Sequence, residues 1–172
     1  AAALDHHGRA RVADREALAR AAGGQVRYVK PHGALYNTIV HHEAHAKAVI
    51  DGIKAFSRDL AVMLLPGGVA VDIAEQAGLR VIREAFADRG YNPDGTLVSR
   101  REPNAVMHDP DAVAQRVLQI ASTGAVTAID GTEVNVQAES VCVHGDSPGS
   151  VELTRRVVEK LRADNITIAS VL

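Results

Sequence analysis

Short apolar runs alternate with longer amphipathic stretches along this chain. Runs rich in Val, Ile and Leu have the length of strands; they cover residues 26–29, 60–65, 79–82, 126–129, 132–136, 140–143 and 166–170. Stretches with apolar residues at helical spacing separate most of them, at 35–56, 69–77, 110–122 and 147–161. Repeated strand–turn–helix units with apolar strands predict parallel strands covered by helices.

Turn and cap residues mark the boundaries of these elements. Asp14 is a candidate N-cap for a short helix that runs through Arg20 and stops at Gly23-Gly24. Three later signals are a turn at Asn92-Pro93-Asp94-Gly95, a helix start at Asp109-Pro110 and a hairpin turn at Asp130-Gly131.

The junction after the first strand carries the first candidate site. Lys30 and His32 stand between the strand and the following helix, and Asn37 lies one turn into that helix. Ligands of α/β proteins bind outside the carboxyl ends of strands, so Lys30 is a candidate for holding an anion and His32 for proton transfer. The alternatives are a solvated lysine, a histidine bonded to the turn, and an Asn37 that only caps the turn.

A second group of charges follows the run at 79–82. Arg83 and Arg89 are candidate ligands for a carboxylate or phosphate, while Glu84 and Asp88 are candidates for positioning water or a metal ion. The alternative is a cluster of salt bridges that braces the long loop reaching to Arg101.

The third candidate site follows the run at 140–143. His144 is a candidate for metal binding or proton transfer, and Gly145, Asp146 and Ser147 precede a predicted helix whose free N–H groups attract anions. Asp146 can equally be the cap of that helix. If the protein binds a metal, His32, His144 and Asp146 are the candidate ligands.

Three other features are weaker candidates for functional sites. The segment His41-His42-Glu43-Ala44-His45 lacks the spacing of zinc proteases and reads as a solvated helix face. Pro66-Gly67-Gly68 lacks the spacing of a P-loop and reads as a plain turn. Cys142 lies within an apolar run and reads as a core residue.

Composition narrows the class of protein. The 172 residues suit one domain, and a net charge of −2 with 3% aromatic residues argues against a nucleic-acid partner. One cysteine suits a reducing compartment, and no run approaches 18 apolar residues. We therefore expect a cytoplasmic α/β protein with no membrane span.

Three ordered blocks of the sequence resemble the LamB/YcsF family. They are KPHGALYN at 30–37, REAFADRGY at 83–91 with DGTLV at 94–98, and VCVHGDSPG at 141–149. The resemblance starts near Ala21 and leaves residues 1–20 outside. Acidic and histidine-containing blocks with which family members begin do not occur here, so we expect the N-terminal strands to be missing from this sequence.

The resemblance implies a fold and an activity. The fold would be a distorted seven-stranded β/α barrel similar to polysaccharide deacetylases, with residues 1–172 forming one incomplete barrel domain and five of its strands visible. The activity would be that of one component of an ATP-dependent 5-oxoprolinase, its A chain, which opens the lactam of 5-oxoproline to glutamate. ATP with Mg²⁺ and the B and C subunits would be the further partners.

The expected chemistry assigns a role to each candidate residue. Lys30, Arg83 and Arg89 would hold anionic groups, and Asn37, Gly145 and Ser147 would contact substrate or phosphate. Glu84, Asp88 or Asp146 would be the base for water, and His32 or His144 the acid for the departing nitrogen. Two alternatives remain open: a metal-dependent amide or carbohydrate deacetylase, and a non-catalytic binding subunit of a multi-subunit amidohydrolase.

Overall fold

The computed structural model describes the backbone of residues 2–146 and 149–172, and the side chains of residues 11–146 and 149–172. The helices are α1 (Ala2–Ala21), α2 (Ala34–Thr38), α3 (Glu43–Phe56), α4 (Val69–Gln76), α5 (Pro110–Thr123) and α6 (Ser150–Ala163). The strands are β1 (Tyr28–Val29), β2 (Ala61–Leu64), β3 (Val81–Phe86), β4 (Ala125–Thr127), β5 (Glu133–Asn135) and β6 (Ser140–Cys142). The chain forms two compact units, 1–82 with Leu172 and 83–171, and the boundary falls within β3.

The first unit is built on a parallel strand pair with helices packed around it. Tyr28 of β1 is in register with Ala61 of β2, and the Val62 N–H donates to the Arg80 carbonyl at 2.8 Å. Helix α3 packs against α1 and against α4. Their apolar faces and β2 share one core, which contains Ile39, Ala46, Ile50, Ile53, Leu60, Val62, Leu64, Ala70, Val71, Ala74, Leu79 and Val81.

The single long helix expected over 35–56 is wrong, because the chain forms α2 and α3 with a turn between them. His42 is the N-cap of α3, and its Nδ1 accepts a hydrogen bond from the His45 N–H at 3.3 Å. The Val40 carbonyl accepts from the Val69 N–H at 3.0 Å, so the turn is anchored to the start of α4. Ile39 stays in the core, which explains why the apolar stripe continued through the turn.

Three other predicted elements differ from the structure. Asp14 lies inside α1, which begins at Ala2, so the predicted cap at Asp14 is wrong. Residues 166–170 form no strand with any described part of the chain, and Ile168 is 55% exposed. The strand predicted over 79–82 runs on through β3 to Phe86, so Arg83 and Glu84 are strand residues and do not follow the strand.

The second unit combines a parallel strand pair, a hairpin and two packed helices. Strand β3 pairs in parallel with β6, and β4 pairs antiparallel with β5 around the expected turn at Asp130-Gly131. Asp109 caps α5 as predicted, with its carboxylate accepting from the Asp111 N–H at 3.0 Å. Helix α5 packs on α6, and their core contains Ala87, Val113, Ala114, Val117, Leu153, Val157 and Leu161. Both units therefore have the mixed α/β character that the sequence predicted, with parallel strand pairing.

Candidate active site

The register of β3 and β6 brings Asp88 and His144 together. Phe86 is paired with Cys142 at the end of the ladder, and the Ala87 N–H continues it by donating to the Cys142 carbonyl at 2.9 Å. Asp88 and His144 lie two residues beyond this pair, after β3 and β6 have ended. Their side chains meet there, and the Phe86 ring lies beside the same imidazole.

Asp88 binds the imidazole of His144 with both carboxylate oxygens. Nδ1 of His144 lies 2.8 Å from Oδ1 and 2.9 Å from Oδ2. The Asp88 side chain is only 3% exposed, whereas that of His144 is 20% exposed. The Phe86 ring stacks beside the imidazole with 5.6 Å between ring centroids. The carboxylate is thus buried behind a histidine that is still open to small molecules.

This arrangement decides which imidazole nitrogen carries the proton. An ionised carboxylate only accepts hydrogen bonds, so Nδ1 of His144 is the donor and, in the neutral ring, Nε2 carries the lone pair. A buried carboxylate also stabilises the imidazolium that forms when Nε2 takes up a proton. The pair can therefore accept a proton at Nε2 and return it, which is general acid–base chemistry.

Tyr91 holds the end of β3 by a hydrogen bond to its backbone. Its hydroxyl accepts a hydrogen bond from the Phe86 N–H at 2.7 Å, and the residue is fully buried. Burial raises the pKa of Tyr91 to about 12, with a smaller contribution in the same direction from the charge of Glu84. The phenol is therefore neutral at physiological pH and fixes the backbone of the residue that stacks on His144.

Arg89 faces the interior of the second unit. Its Nε donates to the Ala105 carbonyl at 3.1 Å and its Nη2 to the Val98 carbonyl at 2.6 Å, and the residue is 5% exposed. Burial lowers the pKa of Arg89 from its usual value, with the nearby charge of Arg100 acting in the same direction. This geometry favours the alternative in which Arg89 braces the long loop, and not the predicted contact with phosphate. Its guanidinium binds carbonyl groups, and not the carboxylates of the expected salt bridges.

Glu84 and Arg83 lie on opposite faces of β3. Glu84 is buried on the face of β3 that also carries Phe86, whereas Arg83 is half-buried. The Arg83 carbonyl accepts from the Glu139 N–H at 2.9 Å, which ties β3 to the residue before β6. Glu84 therefore shares a face of β3 with Phe86, whose ring stacks on His144.

The residues after His144 are more open. Gly145 and Asp146 are exposed, and the Gly145 carbonyl accepts from the Ser150 hydroxyl at 3.1 Å. Helix α6 begins at Ser150 with Gly149 as its N-cap, so the alternative that Asp146 is the cap residue is wrong. Ser147 lies outside the described residues.

Lys30, His32 and Asn37 belong to the first unit. Lys30 is half-buried, with its Nζ 5.8 Å from the centroid of the Tyr36 ring, and His32 is exposed. Both line a cavity of about 710 Å³, which Arg11 and Arg15 of α1 also line. The Asn37 side-chain amide donates to the Gly33 carbonyl at 3.4 Å, as expected of a residue that stabilises the turn.

The remaining candidates are placed as follows. Within residues 11–146 and 149–172, no group of three or more His, Cys, Asp or Glu side chains is arranged to hold a metal ion. The His42 and His45 rings stack at 3.9 Å at the start of α3, and Cys142 is half-buried. Over the same ranges, none of the helices is both long and apolar enough to cross a bilayer.

Tyr91 and Arg116 were not predicted as contributors to the site. Arg116 lies on α5, and its guanidinium donates to the Arg89 carbonyl. Burial lowers the pKa of Arg116, with Tyr91 opposing that effect. Its position between Val113 and Ile120 on the apolar face of α5 was the available signal, because an arginine on a buried face needs a partner. For Tyr91, the signal was a tyrosine five positions after the strand end in an aromatic-poor sequence.

The fold and the site define an α/β protein with a carboxylate–histidine pair at the ends of parallel strands. The sequence model of the LamB/YcsF family matches residues 4–172, so the match also takes in most of the segment before Ala21. This chain belongs to the LamB/YcsF family.

Relatives and a solved structure agree with this assignment. The chain is 67% identical over 157 residues to the 5-oxoprolinase A chain of Corynebacterium jeikeium, covering 91% of this chain and 61% of that protein. It is 59% identical over 155 residues to the 5-oxoprolinase A chain of Kocuria rhizophila, covering 90% of this chain and 62% of that protein. The crystal structure of a lactam utilization protein from Thermus thermophilus matches with a TM-score of 0.89 at 35% identity, covering 96% of this chain and 66% of that one. The chain thus spans about 61–62% of the length of these two relatives.

Proposed function

We propose that this chain belongs to the A component of a 5-oxoprolinase, which hydrolyses the lactam of 5-oxoproline to glutamate. The observation that carries this proposal is the pair formed by Asp88 and His144, with Nδ1 held at 2.8 Å and the imidazole still accessible. The names of the relatives support the substrate class, since they are 5-oxoprolinase A chains and a lactam utilization protein.

Lactam opening requires the proton transfers that this pair can perform. A five-membered lactam is an unactivated amide, so a water must be deprotonated and the leaving nitrogen must be protonated. In our proposal His144 takes the proton of the water at Nε2 and donates a proton to the departing nitrogen, while Asp88 stabilises the imidazolium. ATP, bound with Mg²⁺, would supply a phosphoryl group to the amide oxygen, which makes the ring carbon more electrophilic toward the water. Loss of the ring nitrogen would then leave an acyl phosphate of glutamate, and a second water would hydrolyse it to glutamate and phosphate.

Anionic groups of the substrates need cations. Lys30 lines the cavity of the first unit together with Arg11 and Arg15, and none of the described side chains that line it is a carboxylate. The charge of this cavity therefore suits a carboxylate or a phosphate. We assign anion binding to Lys30 and, on β3, to the half-buried Arg83. In the first unit, His32 and Asn37 would contact an anionic substrate with Lys30. In the second unit, Glu84, Gly145 and Asp146 would contribute beside His144.

We propose that the complete protein is a distorted seven-stranded β/α barrel similar to polysaccharide deacetylases, of which residues 1–172 form one incomplete domain. The B and C subunits would be required for turnover, as the naming of the relatives as one of several subunits suggests. A single cysteine, Cys142, suits the reducing conditions of the cytoplasm.

Turnover by the complete complex tests this proposal. The full-length protein is combined with its B and C subunits, and glutamate and ADP are measured with 5-oxoproline as substrate. We expect ATP-dependent glutamate formation that falls at least about 100-fold in His144→Ala and Lys30→Ala. Arg162→Met, which changes an exposed arginine of α6, should retain wild-type turnover.

Each alternative function gives a different result in the same assay. Wild-type turnover by His144→Ala would make this chain a binding subunit whose partners hold the catalytic groups. Release of acetate from an N-acetyl sugar, dependent on added zinc or manganese and without lactam hydrolysis, would instead identify a metal-dependent deacetylase.

A further inference from the structure

We propose that Arg89 is a positioning residue, which fastens the segment 98–107 onto residues 88–90 and thereby fixes Asp88 against His144. The inference rests on the proposed function for its consequence in catalysis, but its geometry stands on contacts within the second unit. It gives Arg89 a role other than binding of an anionic substrate.

The guanidinium of Arg89 bridges the two ends of this segment. Its Nη2 donates to the carbonyl of Val98 at 2.6 Å, and its Nε donates to the carbonyl of Ala105 at 3.1 Å. The planar fork of an arginine can reach two acceptors in fixed directions, which the single point charge of a lysine cannot do. At 5% exposure, these donors face the protein and not the solvent.

The segment in turn holds the backbone around Asp88. The Met107 N–H donates to the Asp88 carbonyl at 2.9 Å, and the Gly90 N–H donates to the Ala105 carbonyl at 2.9 Å. The Val98 N–H donates to the Gly90 carbonyl at 2.9 Å. Asp88 is therefore held through its main chain by the segment and through its carboxylate by His144.

The close approach of the segment requires a glycine. A Cβ at position 90 would lie 2.9 Å from the Asn104 carbonyl oxygen and 3.2 Å from Cγ2 of Val98. A side chain at position 90 would therefore push the segment away from the strand end. The glycine lets the segment lie close to the backbone of residue 90, where Arg89 holds it by two hydrogen bonds.

Helix α5 provides the second attachment. Arg116 donates to the carbonyl of Arg89, so residue 89 is held at its backbone by α5 and at its side chain by the segment. Arg116 reaches this carbonyl from the face of α5 that carries Val113 and Val117 in the core of the unit. The orientation of Asp88 is therefore tied to packed elements on both sides.

This network explains why a residue that does not face the solvent should affect catalysis. A displacement of about 1 Å in a catalytic group costs on the order of 100-fold in rate. Without the guanidinium, two buried carbonyls lose a donor and the segment is held by backbone contacts alone. The hydrogen bond of Met107 to Asp88 would then lengthen or shift, and the carboxylate with it.

The test compares Arg89→Lys and Arg89→Met in the full-length protein with its partner subunits. We expect kcat to fall about 10- to 100-fold in both variants, with KM within about twofold of wild type. The lysine variant, which keeps the charge, guards against failure of Arg89→Met to fold. Arg162→Met is the matched control and should leave kcat unchanged.

A spectroscopic measurement separates positioning from general destabilisation. In folded protein labelled with ¹⁵N-histidine, we expect both Arg89 variants to shift the His144 ring signals, while the signals of His41, His42 and His45 stay in place. Unchanged His144 signals, unchanged kcat in folded variants, or a raised KM at constant kcat would each overturn the proposal. The ¹⁵N measurement does not depend on turnover, so failure of lactam hydrolysis in the wild-type complex would count against the proposed function and not against the positioning.

Discussion

Asp88 and His144 lie 56 positions apart in the sequence, yet Nδ1 of His144 is 2.8 Å from Oδ1 of Asp88. The parallel register of β3 and β6 accounts for this contact, because both residues stand two positions beyond the pair Phe86–Cys142. The contact between these two candidate site residues is thus assembled by strand pairing, and the surrounding residues keep the pair in place.

The buried hydroxyl of Tyr91 should make stability depend on pH in the alkaline range. An unfolded chain loses the phenolic proton near pH 10, whereas burial raises the pKa of Tyr91 to about 12 in the folded protein. Between these values the folded state binds more protons than the unfolded state, so the free energy of unfolding falls as pH rises. We expect this group to remove about 3 kcal/mol between about pH 10 and 12.

The variant Tyr91→Phe isolates that contribution. Below pH 10 it should be less stable than wild type by about 1–3 kcal/mol, because the Phe86 N–H loses its acceptor. The difference should shrink as the pH rises to 12, as measured by urea unfolding. The exposed Tyr28 gives the control Tyr28→Phe, which should have wild-type stability below pH 10. A constant difference for Tyr91→Phe would refute this role of the buried phenol.

Gly90→Ala should destabilise the second unit by about 1–3 kcal/mol, because the added methyl group would meet the Asn104 carbonyl at 2.9 Å. The control is Gly24→Ala, where the nearest atom is 3.5 Å away and the backbone needs no positive φ. Chemical denaturation of the full-length variants measures both effects. Equal stability of Gly90→Ala and wild type would show that the segment 98–107 can move away from the strand end.

The cap of α3 offers a stabilising substitution. His42 accepts a single, long hydrogen bond of 3.3 Å from the His45 N–H, and Asp is a better N-cap that also interacts favourably with the helix dipole. We expect His42→Asp to stabilise the protein by up to about 1 kcal/mol and His42→Ala to destabilise it by a similar amount. Thermal unfolding at neutral pH compares the two variants. The reverse order of stability would exclude residue 42 as the functional cap.

Local signals predicted several elements of the fold because the responsible interactions lie close together in sequence. The turn at Asn92–Gly95, the cap at Asp109 and the hairpin at Asp130-Gly131 each depend on residues within a few positions of one another. The break between α2 and α3 was not predicted, since Ile39 is buried in the turn and preserves the helical stripe. The segment 166–170 has the composition of a strand, but it pairs with no strand in the part of the chain that the structure describes.

In the candidate site, too, local signals could be read from the sequence, whereas contacts between distant residues could not. Asp88 and His144 were recognisable as polar residues after strands, but their contact depends on a register that a single sequence does not reveal. The sequence could not predict where the Arg89 side chain points, because its partners are carbonyl groups, which every residue carries. Tyr91 and Arg116 contribute through burial, which depends on the packing of α5 and the strand end.

The rate of lactam hydrolysis by Asp88→Asn tests the central claim most directly. The amide is close in size to the carboxylate, but its NH₂ group can hold Nδ1 as an acceptor and leave the proton on Nε2, and it does not stabilise the imidazolium. In the full-length protein with its partner subunits, we expect kcat to fall about 1,000-fold or more while KM changes little. A folded Asp88→Asn protein with kcat within twofold of wild type would show that the pair has no part in the chemistry.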